Sequence, residues 1–245
     1  MATVDEIRFP ADAGWSMRGL LVRPTAPGGP WPGLLVLHEM VGFRDAGIRQ
    51  IAKRFADEGY VALIPNLYDR PGPAPLCILR MLRSLRRGRG QGFRDLEAAR
   101  TWLAGLPEVD PSRVGVAGFC LGGGFALLYA VRAPVGVAAV FYGDVPGTAA
   151  ELEGVCPVVA SYGGRDLVFR SKANELESHL EEIGVPHDVK SYPNAGHAFM
   201  NHPRGLLAWI LRISPFRVAH DEDASTDSWR RVLAFFRDHL TRATP

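Results

Sequence analysis

Val114-Gly115-Val116-Ala117-Gly118-Phe119-Cys120-Leu121-Gly122 is the stretch that decides the fold. A short apolar strand, Val114 to Ala117, runs straight into Gly118, and an Ala/Leu-rich helical segment leaves from Leu121. This is the pattern of a nucleophile elbow, with cysteine where most such turns carry serine. The strand-to-helix turn is tight, so the positions two residues either side of the nucleophile must be small, and Gly118 and Gly122 meet that need. Taken alone, the pentapeptide equally describes a buried cysteine in an ordinary strand-to-helix turn, since free cysteines behave as small hydrophobes.

The rest of the chain decides between the two. A triad built on this elbow follows the chain order nucleophile, acid, base, and Asp166 and His197 occur in that order, each after a strand-like run. Asp166 closes Ser161-Tyr162-Gly163-Gly164-Arg165-Asp166, and His197 stands in Asn194-Ala195-Gly196-His197-Ala198-Phe199. Asp166 also lies just before a helical run from Lys172, where an Asp commonly caps a turn. A metal reading of His197 with His202 lacks a third ligand at suitable spacing.

Working outward, Ile7–Phe9 and Ser16–Val22 read as an edge hairpin, and Gly33–Leu37 as an apolar strand buried on both faces that ends at His38-Glu39. Ile48 to Glu58 has helical spacing, Gly59 stops it, and Tyr60–Pro65 begins another buried strand. Helices are expected over Phe93–Leu106, Leu121–Val131, Lys172–Ile183 and Trp229–Leu240, and further strands over Val135–Tyr142, Pro157–Tyr162 and His187–Tyr192. Strands alternating with helices imply one α/β domain over 1–245, with a mostly parallel, doubly wound sheet. Two segments fit less well. The basic stretch 71–92 carries Arg80, Arg83, Arg86, Arg87 and Arg89 and is either a solvated face or a helix lying over the site. The insertion 202–226, with its apolar Leu206–Leu211, is a lid or a short buried helix.

With 245 residues, 47% of them hydrophobic, the chain is long enough for one large sheet-centred core. A net charge of +2 gives no electrostatic case for nucleic acid or an anionic membrane surface. Three scattered cysteines, Cys77, Cys120 and Cys156, make no disulfide framework and no paired metal motif, which fits a reducing cytoplasm. Met1 to Phe9 carries Asp5 and Glu6 and predicts no secretory signal, and no run reaches the roughly 18 apolar residues of a membrane span.

In open α/β sheets, ligands bind outside the carboxyl ends of the strands, where Glu39, Cys120, Asp166 and His197 all fall in this reading. Cysteine attacks as thiolate; an imidazole takes its proton, and the amino end of the following helix favours negative sulfur. Asp166 would fix the tautomer of His197. The oxyanion donors are the backbone N–H groups of Leu121 and of the loop after Leu37, at Met40. Glu39 opposes thiolate formation by like-charge repulsion, so it either has a task of its own or points away towards an arginine such as Arg44.

These motifs, His38-Glu39 after the third strand, the elbow around Cys120, Gly163-Gly164-Arg165-Asp166 and Gly196-His197-Ala198-Phe199, together resemble those of the dienelactone hydrolase family over nearly the whole chain. The resemblance implies the α/β-hydrolase fold, a triad of Cys120, Asp166 and His197, and a thioester acyl-enzyme that opens an enol-lactone ring. It implies that Glu39 holds the resting thiol neutral until substrate displaces it, and that no cofactor or metal takes part. In that family two arginines hold a substrate carboxylate, one of them four residues after the histidine. Asn201 stands at that position here, which leaves Arg80, Arg83 and Arg204 as the candidates. The expected partner is one small anionic ester or lactone, and the protein is expected to be a monomer or weak dimer. A carboxylesterase or thioesterase acting on other substrates, and a non-catalytic binder on the same scaffold, are the competing readings.

Overall fold

The computed structural model describes residues 3–11, 14–202 and 210–240. Among these, strands β1 (Thr3–Pro10), β2 (Ser16–Arg23), β3 (Trp31–Leu37), β4 (Val61–Pro65), β5 (Val109–Phe119), β6 (Ala138–Phe141), β7 (Val158–Gly163) and β8 (His187–Tyr192) form one sheet. Its order is β1-β2-β4-β3-β5-β6-β7-β8. The hairpin β1–β2 is antiparallel and sits at the edge, β2 meets β4 antiparallel, and every later pairing is parallel. Parallel strands are covered on both faces, so β3, β4, β6 and β7 are almost continuous apolar runs, with Leu34, Leu35, Val36 and Leu37 all fully buried.

The helices are α1 (Ala46–Asp57), α2 (Ala74–Arg86), α3 (Gln91–Ala104), α4 (Leu121–Ala130), α5 (Lys172–Glu182) and α6 (Glu222–His239). Helices α1 and α6 meet through Phe55, whose ring lies 4.5 Å from Trp229 and 6.0 Å from Phe236. Helices α2, α3 and α4 pack against one another, and α4 lies on β5 and β6. The mostly parallel, doubly wound sheet read from the alternation of strands and helices is therefore the fold.

Two expectations shift. The last helix begins at Glu222 rather than Trp229, because Asp221 caps it by accepting from the Ala224 N–H at 2.9 Å. The insertion accordingly ends at Asp221 rather than at residue 226. Of its apolar run, residues 206–209 lie outside the described residues. The basic stretch holds a helix, α2, which starts after Pro73 and ends before Gly88, and Arg80, Arg83, Arg86, Arg87 and Arg89 are all exposed, so its arginines form a solvated face. No described helix is long and apolar enough to cross a membrane.

Candidate active site

Cys120 ends the run of β5 and opens α4 with φ 54° and ψ −117°. Those angles lie outside the regions a side-chain-bearing residue ordinarily occupies and store about 1–3 kcal/mol of strain. Close packing enforces the turn. A Cβ at Gly118 would sit 2.0 Å from the Gly122 carbonyl oxygen, and one at Gly122 would sit 2.3 Å from the Leu37 carbonyl oxygen. No other residue type fits either place, which makes these two glycines the sequence signature of the turn. The sulfur is partly exposed, and Leu121 is the first residue of α4, so its N–H has no carbonyl one turn back to bond.

Asp166 and His197 are both buried, and Asp166 Oδ2 stands 2.6 Å from His197 Nδ1. The other carboxylate oxygen, Oδ1, accepts from the N–H groups of Val168 at 3.0 Å and Phe169 at 3.2 Å. Asp166 therefore caps its own turn and orients the histidine at once, so the two alternatives read from sequence are one arrangement. The imidazole is held in an aromatic cage of Tyr142, Phe169 and Phe216, with ring centroids at 4.9, 5.2 and 5.4 Å. Its backbone N–H donates to Phe216 O at 2.8 Å. Burial disfavours the charged ring, but the Asp166 hydrogen bond and the neighbouring Cys120 sulfur outweigh it and push the His197 pKa up. Nε2 is buried with no partner in hydrogen-bond geometry, although the sulfur is close enough to act on it. That nitrogen is the one free to exchange a proton.

Glu39 is held by neutral donors. The Tyr142 hydroxyl donates to Oε1 at 3.1 Å, and the Asn201 amide donates to the same oxygen at 2.8 Å. Arg44 instead pairs with Glu6 at the surface, at 2.5 Å, so the pairing with Glu39 read from sequence does not form. Asn201 and Tyr142 reach Glu39 directly from the adjoining loops, and Arg44 points away. Desolvation raises the Glu39 pKa, against the opposing pull of His197, Tyr142 and Asn201.

His38 fixes the loop that carries Glu39 and Met40. It is fully buried; Nε2 accepts from the Leu67 N–H at 3.2 Å, so Nδ1 must carry the proton that meets Glu39 O at 2.7 Å. The ring thus ties the loop after β3 to the loop after β4. Met40 lies on the turn closed by Gly42 N–H to Glu39 O at 3.1 Å, with its side chain half exposed. Tyr142, with φ 42°, is a site residue that sequence reasoning passed over as the end of an apolar strand, while His38 was read with Glu39 at the end of β3 but given no task. The only available signal was a polar side chain at a strand's carboxyl end.

Arg80 and Arg83 do not join this group. They project from α2 into a neighbouring cavity of about 520 Å3, whose wall includes Tyr68. Arg204 lies outside the described residues. The structure therefore brings Glu39, Cys120, Asp166 and His197 together at the ends of β3, β5, β7 and β8, and it places the two described candidate arginines next door.

Comparison with known proteins points to one family. A sequence profile described as the dienelactone hydrolase family matches residues 17–240. A Synechocystis protein provisionally named carboxymethylenebutenolidase is 30% identical over 91% of this chain and 92% of its own length. One of the same provisional name from Methylorubrum extorquens is 30% identical over 87% of this chain and 74% of its own. The crystal structure of a Klebsiella pneumoniae protein, provisionally described as a dienelactone hydrolase, is 25% identical, with a TM-score of 0.78, and covers 98% of this chain and 100% of its own.

Proposed function

Since this chain belongs to the dienelactone hydrolase family, and so to a family of hydrolases, we propose that it cleaves a small ester or enol-lactone through a thioester on Cys120. The observation that carries the reading is the hydrogen-bonded Asp166–His197 pair, whose free Nε2 faces the elbow cysteine.

In this mechanism His197 Nε2 takes the thiol proton and the sulfur attacks the carbonyl carbon. Negative charge on the carbonyl oxygen is met by the N–H groups of Leu121 and Met40. The tetrahedral centre collapses, the C–O bond of the ester or lactone breaks, and the leaving oxygen receives the proton from His197. Water then attacks the thioester while His197 takes its proton, and the carboxylic acid leaves with the thiol restored. Glu39, held by Tyr142 and Asn201, bonds the resting thiol in its neutral form and, as a carboxylate, can take the thiol proton in place of His197 once substrate displaces it. Arg80 and Arg83, with Arg204, are the candidates to receive a negatively charged group of the substrate. No step requires a cofactor. A cytoplasmic setting and a monomer or weak dimer remain part of this proposal.

Asn201 favours a broader ester or thioester substrate as the second reading, because a neutral amide fills the place from which the family's arginine would grip a carboxylate. Quantifying free acid from a carboxylate-bearing dienelactone and from a neutral aryl ester tests both. Cys120→Ala should lose turnover of whichever substrate the wild type hydrolyses by roughly 10⁴-fold or more, and full retention would overturn the nucleophile assignment. Lactone turnover by wild type supports the first reading, and ester turnover alone the second. Turnover of neither would leave a binder on a hydrolase scaffold.

A further inference from the structure

Next to His38, across Tyr68, lies a cavity of about 520 Å3, within the range of small-ligand sites, into which Arg80 and Arg83 face. Its wall includes Tyr68, Arg80, Arg83, Arg87, Arg89 and Gln91. Tyr68 links it to the chemistry. The tyrosine ring stands edge-on to His38 at 5.0 Å, and burial first, then the thiols of Cys120 and Cys77, raise its pKa. Tyr68 therefore reaches from the cavity, which Cys77 also lines, to the histidine that fixes the loop of Glu39 and Met40.

The charge of this wall is unbalanced. Arg80, Arg83 and Arg87 follow one another at helical spacings of three and four, where like charges repel and destabilise the helix. Arg80 donates to Pro71 O at 2.9 Å, a neutral group. Arg83, Arg87 and Arg89 have no carboxylate partner among the described residues. Asp95, the acid behind the wall, is buried and already bonded to Arg70 at 2.7 Å and to the Gln91 amide at 2.9 Å. A second, independent feature points the same way. Helix α3, 14 residues long, starts at this wall with Gly90 as its cap, has no side chain capping it, and carries no acid in its first turn. Its positive end thus opens beside four guanidinium groups.

We propose, resting on the hydrolase reading above, that this cavity holds a phosphate-bearing arm of the substrate carrying at least two negative charges. A single carboxylate, with two oxygens, accepts from about two guanidinium groups, whereas four guanidinium groups and a helix amino end match the larger number of acceptor oxygens on phosphate or pyrophosphate. The scissile carbonyl then sits at Cys120 on the near side of Tyr68, and the anionic arm lies on the far side.

The test uses the full chain and inorganic pyrophosphate as the probe. Pyrophosphate should bind wild type by titration calorimetry, more weakly as salt rises. It should also raise the KM of a phosphate-bearing aryl ester without lowering kcat. The double variant Arg87→Ala/Arg89→Ala, shown to be folded by an unchanged melting temperature, should bind pyrophosphate at least tenfold more weakly. Its preference in kcat/KM for the phosphate-bearing ester over a neutral one should fall by a similar factor. No binding by wild type at millimolar pyrophosphate, or equal affinity in the double variant, overturns the proposal. Cys120→Ala separates the two readings. If it keeps ester turnover, the nucleophile assignment falls; if it loses turnover while wild type ignores pyrophosphate, the cavity assignment alone falls.

Discussion

Acidification is expected to loosen this protein through His38 before it protonates most carboxylates. Burial lowers the His38 pKa from 6.5 to about 4, with the Glu39 carbonyl bond pulling weakly the other way. Geometry supplies the reason: Nε2 accepts the Leu67 N–H, so a second proton would break that bond and leave two donors face to face in a fully buried place. The folded pKa lies below the unfolded one. The neutral ring's contribution is thus complete above about pH 6.5 and is lost as the pH falls through 6.5 towards 4. The loss is about 2 kcal/mol at pH 5 and about 3 kcal/mol once protonation is complete. Urea unfolding followed by circular dichroism at pH 7.5, 6 and 5 measures it, with His38→Asn as the non-titrating reference that retains a side-chain donor. Other titrations contribute similarly to both proteins, so the wild type should lose about 2 kcal/mol more than the variant between pH 7.5 and 5. Parallel pH dependences would refute the reasoning.

Asp166→Asn should lower kcat by about 10⁴-fold, because an amide donating to Nδ1 turns the histidine to the wrong tautomer; thermal melting should show the fold intact. Tyr142→Phe removes a donor to Glu39 Oε1 and should raise the Glu39 pKa further, moving any acid limb of the kcat/KM profile that Glu39 controls to higher pH. A shift to lower pH would show that Tyr142 does not act on the carboxylate. Gly118→Ala pushes a methyl group to 2.0 Å from the Gly122 carbonyl oxygen and should cost more than about 3 kcal/mol of stability or abolish soluble expression. Near-wild-type urea stability would contradict the packing described for the elbow.

The sheet and the strand ends where the candidate site gathers were legible in the sequence for the same reason. Parallel strands buried on both faces read as unbroken apolar runs such as Leu34–Leu37, and the chemistry sits where those runs stop. Cys120 announces itself through two glycines that packing requires, and Asp166 and His197 through chain order. What escaped was side-chain direction. Nothing in the spacing told that Arg44 would turn to Glu6 and leave Glu39 to Tyr142 and Asn201, because that choice depends on which loops meet across the strand ends. The start of α6 was missed because its first turn, Glu222 to Ser225, is polar and carries no apolar rhythm; the capping Asp221 was the available signal. His38 was legible as part of a strand-end motif but its task was not, since a neutral buried histidine is defined only by what its two nitrogens touch.

The order of strands in the sheet has a consequence for the newly made chain. Cys120 leaves β5, while His197 arrives only after β8, the last strand, which pairs with β7 at the far edge. Until that edge strand docks, the cysteine has no imidazole beside it and remains an ordinary thiol. A chain clipped before residue 187 therefore carries the complete elbow and Glu39 but lacks His197, and on the proposed mechanism its sulfur has no imidazole to raise its reactivity.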